Sequence, residues 1–156
     1  MKKPAALMAI LLVAQAAALV GQNAQTSTQD THRQDEEHPY HVRPPSEPLP
    51  ATLDPLQFKD NHSTFVAYTI AGRIRELLYQ EPCYCPCHRE QHHQSLLDCF
   101  GGNHGVSCHL CKQEVIYCYE QNKLGKNPAE IREGLMDYRW KTIDVAKYAE
   151  DFLTPQ

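Results

Sequence analysis

All seven cysteines of this chain, Cys83, Cys85, Cys87, Cys99, Cys108, Cys111 and Cys118, fall within one quarter of its length. Any fold must bring this segment together, because crowded thiols either pair, bind a metal or exchange disulfides. Three of the sulfurs lie within the five residues Cys83-Tyr84-Cys85-Pro86-Cys87. Pro82 and Pro86 bias this loop away from helix, and such crowding is unusual for a plain disulfide framework.

The flanking sequence predicts a small, mainly α domain. From His62 to Gln80, Val66, Ile70, Ala71, Ile74, Leu77 and Leu78 recur at helical spacing, with Arg73, Arg75 and Glu76 directed to water. Asn61 or Ser63 suits the N-cap, and Pro82 forbids continuation. Ser95 to Phe100 reads as a short helical stretch anchored by Leu96 and Leu97, with Gly101-Gly102 able to close it in left-handed conformation. A third helix is expected from Val106 to Lys123, where Cys108, Cys111, Val115 and Cys118 share a stripe.

Gly125 ends that helix, and Asn127-Pro128-Ala129-Glu130 opens another, with Asn as cap, Pro in the first turn and Glu reaching back. Ile131, Leu135 and Met136 form its apolar side. Beyond Trp140, residues Ile143, Val145, Tyr148, Ala149 and Phe152 suggest a last short helix. Neither a strand nor an internal repeat is evident.

Residues 1–20 read as a secretory signal peptide: Lys2 and Lys3 precede an apolar run from Ala5 through Leu19, and small-x-small cleavage sites occur at Ala14-Gln15-Ala16 and Ala16-Ala17-Ala18. The run is shorter than the roughly 20 apolar residues that span a bilayer comfortably, so no membrane span is expected in the mature chain. No cysteine stands near the cleavage region for lipid attachment. The expected location is extracytoplasmic, periplasmic or secreted. Residues 21–50 are rich in Gln, Thr, Asp, Glu, His and Pro and read as a disordered linker, with His32, His38 and His41 solvated. The cysteine-rich helical domain is expected over 51–156.

Removing Lys2 and Lys3 takes the formal charge from −4 to −6, which argues against nucleic acid or an anionic membrane as partner. A metal ion or a thiol partner protein fits better. Thiolates in a C-x-C-x-C loop can converge on one soft cation and favour copper or zinc over hard ions. Cys108-His109-Leu110-Cys111 supplies a second pair about one helical turn apart, and Cys99 sits between the two groups. His88, His92, His93 and His104 lie in the same span; His93 and His104 are the strongest candidates for imidazole donors. The metal set read from the sequence is therefore Cys83, Cys85, Cys87, Cys99, Cys108 and Cys111, with His93 and His104.

Two other chemistries use the same residues. A C-x-x-C at a helix start can have a depressed thiol pKa, which would make Cys108 or Cys111 the nucleophile of a thiol-disulfide oxidoreductase. Alternatively, six cysteines form structural disulfides in any of fifteen connectivities, leaving one thiol, and Cys118 is core. Haem attachment is disfavoured because Lys112 follows Cys111 where histidine is needed. Neither a hydrolytic triad nor a nucleotide-binding loop is present.

The blocks Pro82-Cys83-Tyr84-Cys85-Pro86-Cys87, Gln94-Ser95-Leu96-Leu97-Asp98-Cys99-Phe100 and Cys108-His109-Leu110-Cys111 together resemble the bacterial PCYCGC-motif family, also called the CYCXC family of (seleno)proteins. The resemblance runs from Ala51 to Met136 and includes His93 and His104, but not Cys118. It implies an exported protein of unsettled function. Pro86 stands where the family motif has glycine, which stiffens the turn between the second and third thiols. Relatives with selenocysteine imply that redox exchange stays beside metal binding as a reading.

Overall fold

The computed structural model describes residues 38–154, without the side chains of Cys87 and His88. The expected signal segment and the first part of the linker lie outside the described residues. Among these residues there are eight α-helices and no strand. They are α1 (His62–Arg73), α2 (Arg75–Tyr79), α3 (Cys87–Gln91), α4 (Asp98–Gly101), α5 (His104–Ser107), α6 (His109–Lys123), α7 (Pro128–Met136) and α8 (Val145–Leu153). Single 3-10 turns at Pro55–Phe58 and Arg139–Thr142 complete the set.

The helix expected from His62 to Gln80 is two helices. Asn61 caps α1 by accepting a hydrogen bond from the Thr64 amide, and Ile74, at φ −120° and ψ 31°, breaks the helix before α2 resumes. The predicted apolar face is nevertheless the buried one: Val66, Ile70, Ala71 and Leu78 are inaccessible to solvent, and Ile74 and Leu77 are nearly so. Arg75, expected in water, is half-buried and donates to the carbonyls of Leu49 and Pro50. The break turns the guanidinium toward the incoming chain.

Helix α6 forms the centre, packed against α1, α2, α5, α7 and α8. Its start differs from expectation, since Cys108 is extended at φ −85° and ψ 106°, separating the short α5 from α6. Gly101-Gly102 closes α4 without a left-handed residue: Gly102 is extended, at φ −139° and ψ −164°. Gly125 does take the left-handed conformation, at φ 79°, after α6.

The start of α7 follows the sequence closely. The Asn127 side chain accepts from the Glu130 amide while the Glu130 carboxylate accepts from the Asn127 amide, a complete capping box. Ile131 and Leu135 are buried, but Met136 is 55 % exposed, because it lies about 100° round the helix from Leu135 and so off the buried stripe. Trp140 is buried and donates through Nε1 to the Leu135 carbonyl. Asp144 caps α8, which packs on α1 and α6 through Val145 and Ala149.

Residues 38–50 have no helix or strand yet touch the domain. His38 and His41, expected to be solvated, are half-buried: His38 Nδ1 lies 3.0 Å from the Cys83 carbonyl oxygen, and His41 stacks on Tyr79 at 3.8 Å between centroids. Tyr40 is buried beneath the Arg132 guanidinium, 4.0 Å from its ring centre. The aromatic rings supply the apolar contact that the stretch lacks in aliphatic residues.

Candidate metal centre

Three short structures converge at the N-terminal end of α6. The chain leaving α2 at Gln80 passes Pro82 and enters the loop that carries Cys83 and Cys85. The following Ser95–Leu97 segment docks back on that end of α2, where the Leu96 amide donates to the Glu81 carbonyl at 2.8 Å and the Leu97 amide to the Leu78 carbonyl at 3.3 Å. Asp98 fixes the same turn by accepting from the amides of Gln94 and Ser95. These bonds bring Cys99, in the first turn of α4, beside the loop.

The third structure is α5 with Cys108. Gly105 allows its close approach, since a Cβ there would lie 3.0 Å from the Cys99 carbonyl oxygen and 3.1 Å from both Phe100 and the Tyr68 hydroxyl. Tyr68 in turn donates to the Gly102 carbonyl at 2.6 Å, and burial pushes its pKa up to about 12. His104 is thereby held against the C-x-C loop.

The sulfurs of Cys83, Cys85 and Cys111 form a triangle with sides of 3.3, 3.6 and 3.7 Å. Tetrahedral zinc with Zn–S bonds near 2.3 Å requires sulfurs about 3.8 Å apart, so the triangle is close to one face of such a site. None of the six cysteines whose side chains are described is in a disulfide, and Cys83, Cys85, Cys99 and Cys111 are buried. His104 Nε2 lies 3.4 Å from Cys85 Sγ and His93 Nδ1 3.4 Å from Cys99 Sγ. The two imidazoles meet edge to face, 5.3 Å between centroids.

Two donor groups emerge. In one, Cys85, His104, Cys108 and Cys111 place their donor atoms within 4.8 Å of one another; in the other, Cys83, Cys99 and Cys111 do so. Cys111 belongs to both. Cys87, read from the sequence as a ligand, has its backbone at the start of α3 and its side chain outside the described residues. His92 and His109 are exposed.

Cys108 does not carry the depressed pKa that a nucleophilic reading expected. A hydrogen bond from Cys111 favours its thiolate, but the opposing hydrogen bond with Cys85, burial and the negative charge of Cys85 together push it up to about 11. The Cys111 amide in the first turn of α6 also favours the thiolate, but it does not outweigh the Cys85 contact and burial.

Three residues around this centre escaped the sequence reading. Glu114 is buried one turn after Cys111 and accepts the Tyr84 amide at 2.8 Å, fixing the middle residue of the C-x-C loop. Its signal was present: a glutamate on the stripe between Cys111 and Cys118. Lys112 is 8 % exposed and donates to Thr64 Oγ1 and the Val106 carbonyl. Burial lowers its pKa, against the opposing charges of Cys108 and Cys111. Glu81 is buried 3.8 Å from Arg132, and burial raises its pKa despite that guanidinium. Nothing in the sequence marked Lys112 or Glu81 as interior.

A family model described as a protein of unknown function with a PCYCGC motif matches residues 8–156. Comparison with curated proteins and with solved structures gives no match.

Proposed function

The chain belongs to the PCYCGC-motif family, and we propose that it captures or transfers a soft metal ion, copper or zinc, outside the cytoplasm. The observation that carries this reading is the triangle of buried sulfurs of Cys83, Cys85 and Cys111, at coordination spacing and flanked by His93 and His104. Converging thiols and imidazoles without hard oxygen donors in the same groups suit a thiophilic ion. Burial adds to this preference, since bringing several thiolates together in a low-dielectric interior is costly unless a cation neutralises them.

Glu114 supports the same function indirectly. Holding the Tyr84 amide orients the C-x-C loop before an ion arrives, the role that outer hydrogen bonds play around metal ligands. Export rests on the basic and apolar pattern of residues 1–20. No helix among the described residues is long and apolar enough to cross a membrane.

Elemental analysis of the chain purified from its native compartment without chelators tests the proposal, alongside Cys85→Ala and Cys108→Ala. Near-stoichiometric copper or zinc in the parent, reduced in both variants, is the expected result. Metal-free parent protein that also takes up neither ion after reduction would refute it. Intact mass before and after reduction then separates structural disulfides from thiol exchange, and a Cys108→Ser or Cys111→Ser trap reports any mixed disulfide with a thiol partner.

A further inference from the structure

We propose that the centre holds two divalent thiophilic ions, with the Cys111 thiolate bridging them; this inference rests on the metal-binding reading above. The argument begins with donor number. Among the described residues, five cysteine sulfurs and two imidazoles converge here, whereas a tetrahedral ion takes four ligands. If Cys111 is counted twice, the seven donors fill eight coordination positions, which is two complete tetrahedral sets.

The geometry divides them in that way. Cys85, Cys108, Cys111 and His104 form one complete three-sulfur, one-nitrogen group. Cys83, Cys99 and Cys111 form the other three-sulfur group, and His93 stands beside it with Nδ1 3.4 Å from Cys99. Cys111 is inaccessible to solvent and closes a triangle with the two C-x-C sulfurs, 3.6 Å from Cys83 and 3.7 Å from Cys85. The edge-to-face contact of His93 and His104 places the two nitrogen donors as neighbours, one for each group.

Charge selects the divalent ion. Five thiolates with two divalent ions leave one negative charge, and the buried ammonium of Lys112, adjacent in sequence to Cys111, can offset it. Two monovalent ions would leave three negative charges in the same interior, and one divalent ion would leave the same excess unless thiols stay protonated. An uncompensated buried charge is the costlier arrangement. The ion class is therefore zinc or a divalent analogue.

Cobalt(II) is the probe, because it takes zinc's ligands and reports them optically and magnetically. The reduced, metal-free full chain is titrated with Co(II), following sulfur-to-cobalt charge-transfer absorption and the electron paramagnetic resonance spin count, with zinc competition to confirm the shared site. Two ions per chain are expected, with the spin count at saturation falling well below that of two isolated ions, because a thiolate bridge couples their spins antiferromagnetically. Cys99→Ser should leave one ion with its full uncoupled signal. His93→Ala, which leaves every thiol in place, should weaken one of the two binding steps at least tenfold, and Cys118→Ala should preserve both ions and the coupling.

Saturation at one ion in the parent chain overturns the two-ion centre while leaving metal capture standing. Two ions with uncoupled spins overturn the bridge. Uptake of Cu(I) but of neither Co(II) nor Zn(II) overturns the divalent assignment alone, and uptake of none of the three overturns this inference and the proposed function together.

Discussion

Cys111 and Cys118 stand two turns apart on α6, and both are inaccessible to solvent. Their surroundings differ completely. Cys111 faces the sulfurs of Cys83 and Cys85, whereas burial, followed by the charges of Glu81 and Glu114, pushes the Cys118 thiol well above its ordinary pKa. A buried cysteine is thus a ligand candidate or a small core residue according to what folds against it, and burial alone does not distinguish them.

The sharpest way to break this contrast is to exchange the fates of the two residues. Cys111→Ser should lose at least 100-fold in metal affinity, because it removes a thiolate common to both donor groups; equilibrium titration against a chromogenic chelator measures this. Cys118→Ala should keep parental affinity and stoichiometry while lowering the stability of the metal-free chain by about 1 kcal/mol, the cost of a small cavity. Parental affinity in Cys111→Ser, or loss of metal in Cys118→Ala, would reverse the two assignments.

Gly134→Ala sharpens the contrast from the other side of α6. A Cβ there collides with the Tyr117 ring and hydroxyl, and overpacking of this kind costs about 1–3 kcal/mol. Urea denaturation should show that loss, with metal stoichiometry unchanged, if the body and the centre are separable. Between the two regions stands Glu114. Glu114→Ala should weaken metal binding about tenfold by releasing the Tyr84 amide, while Glu114→Gln, which keeps an acceptor oxygen, should recover most of it. Equal losses in the two variants would mean that charge, and not the hydrogen bond, is what Glu114 contributes. The smallest effect is expected at Asn127→Ala, where losing the cap should cost about 1 kcal/mol of stability and leave metal binding untouched.

Legibility from the sequence followed how local each signal was. The capping box of α7, the apolar face of α1 and α2, and the stop at Gly125 depend on residues within a turn or two of one another, and each could be read directly. The breaks at Ile74 and Cys108 could not, because the periodicity runs through both. Helical spacing reports which residues share a face, but it does not report where tertiary contacts favour leaving the helix. At Cys108 that departure allows its sulfur to join Cys85 and Cys111.

The site shows the same division. Residue type and spacing nominated the thiols, and the family resemblance extends to His93 and His104; His92 is exposed. The signal that was overlooked was polar: Glu114 interrupts the stripe that carries Cys111 and Cys118, and a glutamate on a buried stripe needs a partner. The His38 and His41 contacts were hidden because a Pro-rich, polar segment carries no periodicity from which docking can be read.

By itself, the sequence determined a helical domain, the concentration of thiols into one segment and the family. Tertiary structure alone decided that Cys111 is shared by two donor groups, and that Glu114 and Lys112 belong to the surroundings of the centre. The reason is physical. Chemical type and helical phase are properties of neighbouring residues, whereas sharing a sulfur or neutralising a buried charge depends on distances between segments that only packing brings together.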